Sequence, residues 1–206
     1  MRVIGVCGGS GSGKSTVSAC FSSLGGLVLD ADAIYHELIG APSPCVDAIA
    51  AAFGREVAPD GKIDRDRLRG IVFQDKDALS RLNKISHAFV GEEIERRLKE
   101  AEEAGEAFCV IDAPLLLEAG MDSICDLVVA VIAPFEVRIS RIVQRDSITP
   151  DAARERIRQQ LSDDELLLRC DSVIRNDGKI EDLMRSCREI LHLLGIQSKK
   201  RSEENE

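Results

Sequence analysis

Gly8-Gly9-Ser10-Gly11-Ser12-Gly13-Lys14-Ser15 constrains this chain more than any other segment. It meets the pattern G-x-x-x-x-G-K-[ST] at every fixed position. Its flanks suit the pattern. Arg2-Val3-Ile4-Gly5-Val6 is a short apolar run that reads as a buried strand, and Thr16-Val17-Ser18-Ala19-Cys20-Phe21 continues as a helix. A strand, a glycine loop and a helix start together form an anion cradle. The glycines permit φ > 0 and a close approach of backbone to phosphate. The N–H groups and the positive dipole end of the helix face the anion.

The side chains of the loop divide the work. Lys14 is expected at the β- and γ-phosphates, and Ser15 on Mg²⁺ through its hydroxyl, with Thr16 beside it. Gly8, Gly11 and Gly13 overlap a dinucleotide-type spacing, but Lys14-Ser15 decides for a nucleoside triphosphate.

The 206 residues suffice for one α/β domain with inserted elements. No apolar run approaches the ~20 residues of a membrane span. Gly8 arrives too early to leave room for a signal peptide, so a cytoplasmic protein without a membrane partner is expected. The net charge of −9 argues against a nucleic-acid partner. A triphosphate site in so acidic a chain needs locally concentrated positive charge. The window 136–158 supplies it, with six arginines against four acids. Arg138, Arg141 and Arg145 share one helix face, and Arg154, Arg156 and Arg158 follow the break at Pro150-Asp151. Such a helical pair reads as a lid closing over the phosphates. Arg156 itself reads better as a solvated surface residue. The seven cysteines form no C-x-x-C pair and read as small buried hydrophobes in a reducing cytosol. Cys7 borders the glycine loop and reads as a packed strand-end residue.

Further buried strands are expected at 26–29, 108–111, 127–132 and 172–174. Helices are expected at 33–38, 46–53, along an apolar stripe from Leu79 to Leu98, and at 180–194. Glu92 to Glu106 reads as a solvated helix face with Glu/Lys pairing. The fold class is therefore α/β, a parallel five-stranded sheet covered by helices on both faces. The expected organisation is a single domain over 1–197. Its core comprises 1–39, 107–137 and 170–197, with a helical insertion at 40–106, a lid at about 138–169 and a charged tail at 198–206. Ligands of such sheets bind beyond the carboxyl ends of the strands. The glycine loop, Asp30/Asp32 and Asp112 lie at such ends and are expected to converge.

Asp30 and Asp32 each admit two readings. One of them can face the γ-phosphate and accept or orient an acceptor hydroxyl proton. The other reading is a helix N-cap, which suits Asp30 better. Asp112 follows the third strand and could hold a Mg²⁺-bound water. Glu118 is either a surface acid or part of the site.

Several segments resemble one family in order along the chain. They are Gly5 to Thr16, Asp30-Ala31-Asp32, Gly61-Lys62-Ile63-Asp64-Arg65 with Leu68-Arg69 and Phe73, and Leu82 to His87. The stretch Asp112-Ala113-Pro114-Leu115-Leu116-Leu117-Glu118, then Arg141, Arg145-Asp146, Arg156-Ile157, Gln160, Asp171 and Val173 to Asn176 complete the set. This set is similar to the dephospho-coenzyme A kinase family over about residues 3–194. The resemblance implies a nucleotide-binding P-loop core, a helical acceptor-binding region and an arginine lid. It implies ATP and Mg²⁺ as cofactors and phosphorylation of the ribose 3′-hydroxyl of dephospho-coenzyme A. By match, Asp32 is the base or hydroxyl-orienting carboxylate, Arg141 a lid arginine on the phosphates, and Gly11, Ser12, Gly13, Lys14, Ser15 and Thr16 bind ATP. Three positions depart from the family's habit: Ala88 stands for Pro, Leu166-Leu167-Leu168 for a stretch with Lys, and Cys170 for Ala. A different P-loop small-molecule or nucleoside kinase, and a non-catalytic nucleotide-binding module, stay open as alternatives. A monomer or small homo-oligomer is expected.

Overall fold

The structure, a computed structural model, describes residues 1–197; the expected charged tail at 198–206 lies outside them. Five strands form one sheet: β1 (Arg2–Cys7), β2 (Leu27–Asp30), β3 (Phe108–Asp112), β4 (Leu127–Ile132) and β5 (Ser172–Arg175), in the order β2-β3-β1-β4-β5. The pairings β1–β3, β1–β4 and β4–β5 are parallel, with Val6 opposite Asp112, Cys7 opposite Ala130, and Ala130 opposite Val173. The three central strands are buried nearly throughout, while β2 and β5 are only half buried. That difference is why the central strands read as unbroken apolar runs.

Two compact units divide the chain. Met1–Leu29 and the chain from Ala101 onward make one, and Asp30–Glu100 the other. In the first, α1 (Lys14–Ser23) and α9 (Ile180–Leu193) pack on one face of the sheet. Phe21, Val17, Leu183 and Leu191 meet Ile4, Val6, Phe108, Val110 and Val131 there, and Phe21 and Phe108 stack edge to face at 6.4 Å. Period-two alternation turns Cys7 away from Ile4 and Val6, toward the opposite face. Three helices follow β4: α6 (Phe135–Asp146), α7 (Pro150–Arg158) and α8 (Asp163–Arg169). Ile139 and Ile142 of α6 close on Ala153 and Ile157 of α7 in a small core of their own. Thr149 caps α7 ahead of Pro150, and a capping box of Ser162 and Glu165 starts α8. The leucine run 166–168 falls on α8, with Leu166 buried and Leu168 87% exposed.

The unit Asp30–Glu100 is helical. Its elements are α2 (Ala31–Ile39), α3 (Pro44–Phe53), α4 (Arg65–Val72) and most of the 28-residue α5 (Lys76–Glu103). Ile39, Val46, Ile49, Val57 and Leu68 form its separate apolar core. The alternating charges of Ile63–Arg69 start a helix because Asp64 caps it, accepting from Asp66 N and Arg67 N at 3.2 and 3.1 Å. The acid-rich end of α5 is ion-paired through arginine, where lysine was expected. Glu93 holds both Arg96 and Arg97 at 2.7 Å, and Arg97 also meets Glu37.

Candidate active site

The glycine loop joins β1 to α1 and turns on left-handed backbone. Gly11 has φ 76° and Gly13 φ 92°, the latter as N-cap of α1. Both also lie too close to other chain segments for a side chain. A Cβ on Gly11 would lie 2.6 Å from the Arg138 carbonyl oxygen, and one on Gly13 would overlap the Asn176 amide.

Distant residues brace the loop, mostly through its carbonyls. Arg138, only 4% exposed, donates from Nε to Ser10 O at 3.0 Å and from Nη1 to Asp163 at 3.2 Å. Arg141 donates from Nη1 to Gly11 O and Ser12 O at 3.2 and 3.3 Å, and from Nη2 to Asn176 O at 3.2 Å. Asn176 donates from Nδ2 to Ser12 O at 2.8 Å. Gln160 grips Ser10 twice, accepting from its N–H at 2.7 Å and donating to its hydroxyl at 3.2 Å. Burial lowers the Arg138 pKa, opposed by Asp163, yet a guanidinium stays protonated. Ser12 Oγ and Arg138 Nη2 are the buried side-chain polar atoms without a partner among the described residues, and both lie at this loop. Concentrated orphans of this kind accompany functional sites.

Lys14 heads α1 and donates from Nζ to Gly8 O at 2.9 Å, so the ammonium lies back across its own loop. Ser15 and Thr16 are exposed in the first turn of the same helix. Asp112 ends β3 in a buried position, where Ser18 Oγ of α1 donates to its Oδ2 at 2.7 Å. A pocket of about 70 Å³ flanks the loop, lined by Gly8, Gly9, Glu118, Gln160 and Leu166 among others. Glu118 is therefore an exposed wall of this pocket.

The expected residues around the loop are thus brought together: Gly11, Ser12, Gly13, Lys14, Arg141, and Asp112 through Ser18. Arg138 belongs with them more closely than its place on an expected lid suggested, since it is buried beneath the loop. Arg145 and Arg156 meet instead at Asp146, whose carboxyl they hold down at about 2. In the helical unit, Asp30 caps α2, accepting from Asp32 N and Ala33 N at 2.9 and 3.0 Å. Asp32 stands exposed in the first turn of α2, directly after the carboxyl end of β2. Asp163 and Ser18 carry no role in the sequence reading, and Gln160 and Asn176 appear there only as matching positions. Each acts here over more than 20 residues of separation, which local patterning does not report.

In sequence the chain matches one family over most of its length. A family model, CoaE: Dephospho-CoA kinase, matches residues 2–182. The dephospho-CoA kinase of Corynebacterium glutamicum is 41% identical over 184 residues, covering 89% of this chain and 92% of that protein. The crystal structure of TT1252 from Thermus thermophilus superposes with a TM-score of 0.75 at 32% identity, over 94% of this chain and 97% of that one. Dephospho-CoA kinase from Campylobacter jejuni superposes with a TM-score of 0.68 at 27% identity, over 94% of this chain and 98% of that one. The parallel sheet, the braced glycine loop and the match over residues 2–182 have one meaning: the chain belongs to the dephospho-CoA kinase family.

Proposed function

We propose that this chain transfers the γ-phosphoryl group of ATP to the ribose 3′-hydroxyl of dephospho-coenzyme A, giving coenzyme A and ADP. The observation that carries the reading is the braced loop, with Lys14 at its centre, in a chain matching that family over residues 2–182.

In this reading, the backbone N–H groups of Gly11 to Ser15 bind the ATP phosphates at the N-terminus of α1. Lys14 leaves Gly8 O for the β- and γ-phosphates. Arg141 has five N–H donors, so its carbonyl contacts leave others to meet phosphate oxygens. Asp32 accepts the proton of the acceptor hydroxyl, or orients that hydroxyl, as it attacks in line. The helical unit holds the acceptor, and α6 with α7 acts as the lid that excludes water.

The oxygens present fit magnesium. The Ser15 hydroxyl and the Asp112 carboxylate are hard donors, and Ser18 fixes that carboxylate at 2.7 Å. Such an ion takes most of its ligands from phosphate and water, so one carboxylate suffices. When bound, it neutralises charge on the β- and γ-oxygens. Among the described residues no helix is long and apolar enough to cross a membrane. We place the enzyme in the cytosol, as a monomer or small homo-oligomer, with no nucleic-acid partner.

ADP release from Mg·ATP tests the proposal, with dephospho-coenzyme A, adenosine, AMP or no acceptor present. Release with dephospho-coenzyme A alone is expected. Release with another acceptor overturns the acceptor assignment. Tight ATP binding without acceptor-dependent release would make the chain a nucleotide-binding module.

A further inference from the structure

Two thiols meet beside the glycine loop. Cys7 is the last residue of β1 and the neighbour of Gly8, and its Sγ lies 3.4 Å from Sγ of Cys170. Cys170 follows α8 and leads into β5, 163 residues away in sequence. Cys7 is 1% exposed, whereas Cys170 is partly open to solvent.

We propose that Cys7 and Cys170 form a redox-modification site, which a hydroperoxide closes into a reversible disulfide that distorts the phosphate loop. The contact sets the roles of the two sulfurs. Hydrogen bonding to Cys170, then burial, raises the Cys7 thiol. The same hydrogen bond lowers Cys170, against its partial burial and with Arg169 assisting. Cys170, the sulfur that solvent reaches, is thus the one that meets the oxidant, and the buried Cys7 is the sulfur that resolves it. Lys14 lowers and Glu118 raises Cys7, while Asp171 and Asp122 both raise Cys170.

The chemistry balances in two steps. The Cys170 thiolate attacks one peroxide oxygen, forming an S–O bond as the O–O bond breaks. The leaving alkoxide or hydroxide takes a proton from water. Sulfur is oxidised to the sulfenic acid and the peroxide is reduced to an alcohol or water. Cys7 sulfur then attacks Cys170 sulfur. The S–S bond forms, the S–O bond breaks, and the departing hydroxide leaves as water with the proton of Cys7.

A disulfide spans ~2.05 Å, so the sulfurs must approach by a further ~1.4 Å. Cys7 adjoins Gly8, whose carbonyl holds Lys14 at 2.9 Å. Movement of Cys7 is therefore passed to the loop. A misplacement of about 1 Å at a reacting site costs roughly 100-fold in rate. Disulfides in cytosolic proteins are usually transient and catalytic or redox-sensing.

The effect on turnover rests on the kinase reading above, while the bridge does not. The test treats the reduced full chain with a small excess of hydrogen peroxide. Unreduced peptide mapping by mass spectrometry reads the bridge, and ADP release reads turnover. A linked pair of peptides carrying Cys7 and Cys170 is expected, short of two hydrogens. Turnover should fall about 100-fold and return with dithiothreitol. Cys170→Ala should keep its turnover through the same treatment. A bridge between the core thiols Cys20 and Cys187 instead, irreversible oxidation of Cys170 without a bridge, a bridge that leaves turnover unchanged, or equal inactivation of Cys170→Ala would each overturn the proposal. The mapping on the unsubstituted chain decides the matter even if the variant folds poorly. Absence of ADP release before any oxidant is added would instead mark failure of the kinase reading.

Discussion

Asn176, at the end of β5, donates its side-chain N–H to the carbonyl of Ser12 across 2.8 Å and 164 residues of sequence. Arg141 completes a triangle, reaching Ser12 O at 3.3 Å and Asn176 O at 3.2 Å. The end of an edge strand thereby supports the phosphate loop through a loop carbonyl. Asn176→Leu removes the amide donor and leaves the Ser12 carbonyl with Arg141 alone. A buried hydrogen bond lost on one side costs about 1–3 kcal/mol. The melting temperature should fall by about 2–8 °C and the KM for ATP should rise about ten-fold. An unchanged KM in steady-state assays would show that the loop holds its shape without this strut.

Asp32→Asn keeps the size of the side chain and removes the carboxylate proposed to accept or orient the acceptor proton. Turnover should fall by about 10²–10⁴-fold. ATP affinity, measured by titration calorimetry, should stay within about two-fold, because the substitution takes nothing from the loop. Equal losses in both would make Asp32 part of nucleotide binding.

Ser18→Ala leaves Asp112 in place but deletes the hydroxyl that aims it at 2.7 Å. Residues that orient a metal-binding group cost about 10–100-fold in metal affinity when removed. The Mg²⁺ concentration for half-maximal rate should rise by about that factor, with the saturated rate largely kept. A loss that excess Mg²⁺ does not restore would place Ser18 in packing alone.

Glu93 accepts from Arg96 and Arg97, and these bonds pull its pKa from the ordinary 4.5 down to about 2, against partial desolvation. A carboxylate depressed on folding stabilises the protein above its ordinary pKa and loses that effect as pH falls through the folded value. Glu93→Gln should lower the melting temperature at neutral pH by about 2–4 °C. The gap should narrow below pH 4.5 and close near pH 2 in thermal scans. A gap independent of pH would assign the effect to packing.

Much of this architecture is legible in single segments. Leu127 to Ile132 is β4 to the residue, because a fully buried parallel strand has no polar face to interrupt it. Asp30 reads as a cap and is one, since capping is local geometry over three residues. The spacing of Arg138 and Arg141 correctly puts them on one face of a helix, but spacing does not say what that face meets. Arg138 lies buried under Ser10, where a solvent-facing lid residue was the natural reading. Gln160 and Asn176 were out of reach for the same reason: one amide side chain on a loop and one after a strand look alike anywhere in a sequence. Their roles come from sheet order, which sets β5 beside β4 and brings the chain back to the loop.

The braces on the glycine loop have a consequence for how the chain comes into being. The whole eight-residue motif leaves the ribosome before any of these braces. Arg138, Gln160 and Asn176 come far later, and the strand that carries Asn176 is the last of the sheet. A nascent chain or a proteolytic fragment ending before Asn176 therefore contains every letter of the motif without the framework that shapes it. Nucleotide can reward folding only near its completion, so ATP acts as a checkpoint on the finished sheet rather than as a seed for its first strands.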